Sequence, residues 1–448
     1  MCYDSGRFST GKGAFGMKEE VKKLMEQLKK DEKVERALQI LEETHESTVD
    51  LQMQLCAVRS PSNMEETRAK HYYELMSQIG LDRVYMDEVN NVIGFWKGTG
   101  NGPTLVIAAH MDTVFGPEID CTPALKEDGF IWGPGICDDT RGMAEVYAIA
   151  KAMCETGIRT KGDILFVGNV GEETLGDLRG SKRLFATNPD IDVFMSIDGP
   201  QMESLVTNAI AGCKYRFTYT GRGGHALGAF GIPNVNNALG YAMAKIATLE
   251  VPEEPLSIFN IGVVQGGVSV NAIPSQASMM VDLRSMSQTE LDRMKEFVVS
   301  AAKDGLEKEL ARWNHPTETL ELQIEILSQR PGGVQLVEAP VVQTAMAAYE
   351  LFGIEPKLQK GASTDSNIPI SLGIPAVTVS RGGIQIDGHT VKERFQPDNA
   401  FAGPQRDMIL ALALAGYEDI MEPVIQKKDL KKTKNQGEIN RSSELNFT

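Results

Sequence analysis

Leu105-Val106-Ile107-Ala108-Ala109-His110-Met111-Asp112-Thr113-Val114 is an unbroken apolar run that ends in His-x-Asp. A run of this kind reads as a parallel strand buried on both faces. It delivers an imidazole and a carboxylate at its carboxyl end, the edge at which open α/β sheets place ligand sites. Three more strand-like runs end in the same chemistry: Trp132 to Asp138 with Asp139 next, Ile164 to Val170 followed by Gly171-Glu172-Glu173, and Val193 to Asp198. His389 is a fifth candidate, far downstream. One acidic strand end is commonly a helix cap or turn. Five such positions with mixed imidazole and carboxylate chemistry predict a metal site.

Working outward, the chain of 448 residues is long for one hydrophobic core, so two domains are expected. Residues 1–16 read as a disordered leader, and Met17 to about Val58 as helical. Ser62 with Glu65 has the spacing of a capping box at the start of the next helix. Strands are expected near Arg83–Asp87, Val92–Lys97 and Leu105–Ala109, then a helix over Thr140–Thr156, a strand, a short helix and a strand to Asp198. Alternating strands and helices give a largely parallel α/β sheet. The texture changes near Val206. Tyr215–Thr220, Ile258–Val264, Ala277–Leu283 and Leu320–Leu327 read as strands, with helices over Asn236–Leu249 and Gln288–Arg312. That β-α-β-β-α-β order is that of a ferredoxin-like unit. After Pro331 the α/β texture returns, with a helix at Pro340–Phe352 and a strand at Ala376–Ser380. The expected fold class is therefore α/β, with a mixed-sheet catalytic domain (17–206 and 331–425), an inserted α+β unit (207–330) and a mobile tail (426–448).

The bulk composition excludes several functions. A net charge of −16 disfavours nucleic acid and anionic membranes as partners. The longest apolar run near the end, Met408 to Ala415, is too short to span a bilayer. The six cysteines are scattered without a C-x-x-C and read as free thiols in a reducing cytoplasm. Gly11-Lys12-Gly13-Ala14-Phe15-Gly16 is formally G-x-G-x-x-G, but no strand precedes it, so a dinucleotide site is rejected. His45, His71 and His315 sit in charged contexts and read as solvated.

Two neighbouring divalent metals need four or five ligands, one of them a carboxylate that can bridge. Imidazole and carboxylate without thiolate suit zinc, cobalt or manganese. His110 is a natural ligand, and Asp112 can orient its other ring nitrogen. Asp138 is the best bridging candidate. Of Glu172 and Glu173, one can bind metal and the other can take a proton from water. Asp198 and His389 would complete one set each. Cys137 is expected to point away from Asp138 in an extended segment.

Together, His110-Met111-Asp112, Gly133-Pro134-Gly135-Ile136-Cys137-Asp138-Asp139, Gly171-Glu172-Glu173, Ser196-Ile197-Asp198 and His389 resemble the dinuclear zinc hydrolases that include carboxypeptidase G, aminoacylase, acetylornithine deacetylase and peptidase T. The resemblance covers roughly Leu51 to Gly416. It implies a catalytic domain split by an inserted lid and dimerisation domain. It further implies that one metal takes His110, Asp138 and Asp198 and the other Asp138, Glu173 and His389. Glu172 becomes the general base, Asp112 supports His110, and the Asp138–Asp139 peptide is cis. In the inserted unit, Gly221-Arg222-Gly223-Gly224-His225-Ala226 is similar to the segment whose histidine reaches a neighbouring active site across a dimer. Gly266 to Pro274 matches a stretch whose asparagine, here Asn271, contacts substrate. Asp282-Leu283-Arg284 matches an arginine that pairs with a substrate carboxylate. Two departures stand out: Ala362-Ser363 replaces Gly-Thr in the Gly361–Asp365 loop, and Arg141 replaces a lysine before Gly142.

The expectation is thus a cytoplasmic homodimeric metallopeptidase or amidohydrolase that holds two divalent ions, most simply zinc. It would cleave a short peptide or an N-acyl amino acid. A deacylase of the acetylornithine or succinyl-diaminopimelate type is the alternative within this chemistry. A metal-binding homologue without activity is the alternative outside it, and the retained Glu172 argues against that reading.

Overall fold

The computed structural model describes residues 14–428 except 101 and 419. Most of the expected leader, including Gly11 to Gly13, and the tail from residue 429 lie outside the described residues. The chain divides into two compact units. The first comprises the residues up to Thr207, Gln335–Lys360 and those from Thr364 onward; the second is Asn208–Val334 with Gly361–Ser363. The second unit runs past Pro331 because Ala209 and Gly333 exchange both backbone hydrogen bonds, each 2.9 Å.

The first unit opens with helices α1 (Ala14–Leu28), α2 (Glu32–Glu43), α3 (His45–Ala57) and α4 (Glu66–Met76). Asp31 caps α2 by accepting from the Lys33 and Val34 amides, which satisfies donors that the first turn leaves free. The expected capping box at Ser62 does not form. Helix α4 starts at Glu66 with no side-chain cap, because the Ser62 hydroxyl is engaged elsewhere, as described below. Strands β1 (Arg83–Met86), β2 (Val92–Trp96) and β3 (Thr104–His110) follow, then short β4 (Ala124–Leu125) and β5 (Ile131–Trp132). The strand expected from Trp132 to Asp138 stops at Trp132. Pro134 lacks a donor, and Gly135 turns the chain at φ +78°, so the segment loops instead of extending.

Helix α5 spans Thr140–Thr156. It is capped at one end by Asp139, which accepts from the Gly142 amide, and at the other by Gly157 at φ +66°. Nothing lies within 4 Å of a Cβ built on Gly157, so Gly157→Ala tests the left-handed cap alone. The variant should lose about 1 kcal/mol in urea unfolding; an unchanged midpoint would mean that the cap carries no strain.

The unit continues with β6 (Ile164–Asn169), α6 (Arg179–Thr187), β7 (Ile191–Gly199) and β8 (Ser204–Val206). The second unit holds β9 (Ala211–Gly221), β10 (Gly224–His225), α7 (Val235–Ile246), β11 (Ser257–Gly266), β12 (Ala272–Ile273), β13 (Gln276–Ser285), α8 (Gln288–Trp313) and β14 (Leu320–Arg330). The first unit then resumes with α9 (Pro340–Leu351), β15 (Lys357–Gln359), α10 (Asn367–Ser371), β16 (Ala376–Ser380), β17 (Ile384–Ile386), β18 (Arg394–Gln396) and α11 (Ala402–Ala415).

An eight-stranded mixed sheet, ordered β1-β2-β6-β3-β7-β16-β8-β15, is the centre of the first unit. Strands β6, β3, β7 and β16 are mutually parallel. Every residue of β3 is buried, as a strand covered by helices on both faces requires. Met143, Ile149, Ala345, Ile409 and Leu412 pack into this core from α5, α9 and α11. The parallel strands all end at one edge of the sheet, which brings their following residues together.

The second unit is a four-stranded antiparallel sheet ordered β11-β13-β9-β14, with two helices inserted in the order β-α-β-β-α-β. Phe217, Tyr219, Met279 and Leu283 pack against Ala242, Val298 and Ala301 of α7 and α8. Helices α7 and α8 cross closely at Gly305, where an added Cβ would lie 2.5 Å from the Ala238 carbonyl oxygen. Among the described residues, no helix is long and apolar enough to cross a membrane.

Candidate metal centre and active site

His110 closes β3, Glu172 and Glu173 follow β6, and Asp198 lies at the end of β7. Asp138 comes from the turn before α5, and His389 from the loop between β17 and β18. The structure brings these six side chains into one cluster. Three sets place their nitrogen and oxygen atoms within 4.8 Å of one another: His110 with Asp138 and Asp198, Asp138 with Glu173 and His389, and His110 with Glu172 and Glu173.

Asp138 is the shared member. Its Oδ1 lies 2.9 Å from His110 Nε2, and its Oδ2 lies 3.0 Å from His389 Nε2. His110 Nε2 is also 3.6 Å from Asp198 Oδ1, and His389 Nε2 is 3.2 Å from Glu173 Oε1. The Asp138–Asp139 peptide is cis. One carboxylate thus offers a separate oxygen to each of two imidazole–carboxylate sets.

Asp112 supports the cluster differently from the simple expectation. His110 Nδ1 lies 2.9 Å from the Asp112 backbone carbonyl, a better hydrogen bond than its 3.5 Å approach to the Asp112 carboxylate. The Nδ1 proton is therefore fixed, and Nε2 is left to face Asp138 and Asp198. The Asp112 carboxylate instead accepts the amides of Glu172 and Glu173, both at 2.9 Å, and the Ser62 hydroxyl at 2.6 Å. Asp112 thus holds the Glu172–Glu173 turn in place, and Ser62 serves that anchor, not a helix.

The charge balance fits a cation. Burial opposes a proton on His110, yet Asp112, Asp138 and Asp198 outweigh it and hold the imidazole well above its ordinary pKa. Hydrogen bonds that His389 donates to Asp138 and Glu173 raise its imidazole to about 11. Burial raises Glu173, with His389 opposing. Burial also acts against the charge on Asp138, but Arg381 and the two histidines keep it well below the carboxylate range. The cluster thus carries a surplus of negative charge around its two imidazoles. Divalent cations would relieve the same surplus, and the donor set has the hardness that zinc, cobalt or manganese accept.

Two residues at this site escaped sequence reading. Arg381 directly follows β16, and its guanidinium reaches Asp138, Asp139 and Asp198. Its position after a parallel strand was the available signal. Glu393 is buried and accepts the amides of Gly135, Cys137 and Asp138 at 2.9, 2.9 and 3.1 Å. It sits in a Lys392-Glu393-Arg394 run that looks like solvated surface. Cys137 is buried in a turn and not extended, with its sulfur 3.7 Å from the Arg394 carbonyl. The five described cysteines are free thiols; Cys2 lies outside the described residues.

The remaining expected residues lie in the second unit. His225 is exposed on β10, which pairs with Ala272–Ile273 of β12. The Ala226 amide donates to the Asn271 carbonyl at 2.9 Å, and the Asn271 side chain accepts from Ser269 at 2.6 Å. A cleft of about 470 Å³ is lined by Arg222–Gly224, Gln265–Val268 and Ala272–Ser278. Arg284 on β13 donates to Asp282 at 3.0 Å and pairs with Gly212 at the start of β9. His225 follows the far end of β9 at Gly221, roughly 30 Å away along the strand. In the Gly361–Asp365 loop, Ala362 accepts the Ile210 amide within the second unit. Asp365 belongs to the first unit, where it is buried and accepts from Ser181 at 2.5 Å.

Several known proteins resemble this chain. The family model described as Peptidase family M20/M25/M40 matches residues 106–405. Carboxypeptidase G2 of Pseudomonas sp. (strain RS-16) is 28% identical over 64% of this chain and 68% of its own length. A putative [LysW]-lysine/[LysW]-ornithine hydrolase of Pyrobaculum aerophilum is 29% identical over 51% of this chain, which spans 63% of that relative. Among solved structures, the aminopeptidase PepT of Bacillus cereus superposes with a TM-score of 0.64 at 22% identity. It covers 82% of this chain and 97% of its own. A tripeptidase of Staphylococcus aureus gives a TM-score of 0.65 at 24% identity, with the same two coverages. With two thirds of its length matched by the family model, the chain belongs to peptidase family M20/M25/M40, hydrolases of C–N amide bonds.

Proposed function

We propose that the chain is a two-metal hydrolase that cleaves the amide bond of a short peptide or an N-acyl amino acid. The observation that carries this reading is Asp138, whose two oxygens face two separate imidazole–carboxylate sets while Glu172 stands within the same cluster. His110, Asp138 and Asp198 would hold one ion, and Asp138, Glu173 and His389 the other. The ions, most simply zinc, with cobalt or manganese as substitutes, would supply Lewis acidity toward water and the substrate carbonyl.

The chain's own residues do the rest. Glu172 accepts the proton of the attacking water and returns it to the leaving nitrogen. Asp112 keeps Glu172 in reach through the 2.9 Å bond to its amide. His110 is held as an Nε2 ligand by the Asp112 carbonyl.

The second unit has the strand and helix order of a ferredoxin-like fold, and we assign it lid and dimerisation roles. His225 donates a hydrogen bond to the substrate carbonyl of a partner subunit, which stabilises the developing oxyanion. Asn271 contacts the substrate, and Arg284 pairs with its free carboxylate. The strand length between Arg284 and His225 supports the division, since roughly 30 Å exceeds the span of a dipeptide. A relative named succinyl-diaminopimelate desuccinylase, of Corynebacterium glutamicum, is 25% identical over 57% of this chain, so acylated amino acids belong in the test beside peptides.

The test is hydrolysis of di- and tripeptides and N-acyl amino acids by protein stripped of metal and reloaded with zinc, cobalt or manganese. Cleavage should require the ion and should weaken, through KM, when the substrate carboxylate is amidated. Protein that carries two ions and leaves the whole panel intact would sink the peptide and N-acyl reading.

A further inference from the structure

We propose that Arg381 is a resident cation at one of the two metal positions, so that the centre binds its two ions unequally. The Asp138–Glu173–His389 position is the tight one, and the His110–Asp138–Asp198 position is weak and exchangeable. The inference rests on the two-metal reading above and adds that Arg381 sets the order of filling.

Arg381 leaves the carboxyl end of β16, and its side chain is 5% exposed. Its Nη2 donates to Asp138 Oδ1 at 2.8 Å and also to Asp198 Oδ1. Those are the two oxygens that face His110 Nε2. Two-thirds of one ligand set is therefore already bonded to a positive charge. The guanidinium has little freedom to withdraw, because Nε donates to Asp139 at 2.7 Å and Nη1 to Gln385 at 2.9 Å. It cannot lose its charge by deprotonation either.

The other set differs. The ion pairs of His389 are with Asp138 Oδ2 and Glu173 Oε1, and the oxygen of Asp138 that it uses is not the one that Arg381 binds. An incoming dication meets competition for lone pairs and direct repulsion from the guanidinium at the first position, and carboxylate oxygens paired with its own histidine ligand at the second. The consequence is a centre that keeps one ion permanently and fills the second in proportion to the free ion concentration.

Equilibrium dialysis of metal-stripped full-length protein against zinc or manganese, read by elemental analysis, tests this without recourse to activity. The unsubstituted chain should show two classes of ion whose dissociation constants differ by at least about tenfold. Arg381→Met should tighten the weak class by about 10–100-fold, the range expected for residues that tune ligands, and move the tight class little. His389→Ala, at a half-exposed residue, should remove the tight class and leave the weak one. If Arg381→Met fails to fold, the unsubstituted chain and His389→Ala still decide the unequal filling; a folded Arg381→Met whose weak class is unmoved removes Arg381 as its cause. Two ions bound within about twofold of one another, or loss of the weak class in His389→Ala, would overturn the unequal filling while leaving the two-metal reading intact. Protein that binds no ion overturns both.

Discussion

Glu172→Gln is expected to lower kcat by about 10²–10⁴-fold, the usual contribution of a positioned general base, while the protein still takes up two ions. The amide has nearly the shape of the carboxylate, and the backbone of residue 172 stays tied to Asp112 Oδ1 at 2.9 Å. What is lost is the capacity to accept a proton. Glu173 separates the two roles: its Oε1 already lies 3.2 Å from His389 Nε2, so Glu173→Gln should weaken ion binding as well as rate. Steady-state kinetics and elemental analysis on the same preparations distinguish the two. A Glu172→Gln enzyme within tenfold of the parent rate would remove the residue from the proton transfer. One that loses an ion would make it a ligand, as its membership of the His110–Glu172–Glu173 set allows.

The parts of this centre that the sequence made legible are those that ride on regular strands. A fully apolar run has one physical outcome in an α/β chain, a strand buried on both faces, and parallel neighbours must end at a common edge. His110, Glu172, Glu173 and Asp198 sit at or just beyond the ends of β3, β6 and β7, so strand logic alone gathers them. Asp138 has the chemistry expected of it on a different backbone, a turn shaped by Pro134 and Gly135 in place of a strand end.

Two of the remaining residues, Ser62 and Glu393, depend on contacts that no local pattern encodes. Ser62 looked like a cap because its spacing to Glu65 is that of a capping box, but its hydroxyl binds a carboxylate fifty positions away. Arg381 is legible by the same strand logic, because it directly follows a parallel strand as His110 ends one, and a cation there meets the same carboxylates. Glu393 is not, because a glutamate between a lysine and an arginine looks like solvated surface until the fold folds it inward.

That burial gives Glu393→Leu the second large effect. The carboxylate accepts the amides of Gly135, Cys137 and Asp138, and also the Gln385 side-chain amide at 3.2 Å. Leucine fills similar space and accepts nothing. Each buried donor left unpaired costs about 1–3 kcal/mol. Three amides orphaned together should destabilise the first unit by roughly 3–6 kcal/mol after partial rescue by water. That is a large share of ordinary domain stability. Because the same amides shape the turn that presents Asp138 to both histidines, ion binding should weaken in parallel. Glu393→Gln keeps one acceptor oxygen but turns an NH₂ group toward the backbone donors, so it should fall between the parent and the leucine variant. Urea unfolding monitored beside metal uptake separates two roles. A stability loss below about 1 kcal/mol would show that the turn holds its shape without Glu393. A full stability loss with unchanged ion affinity would mean that Asp138 is positioned by its bonds to Arg381 and the histidines instead.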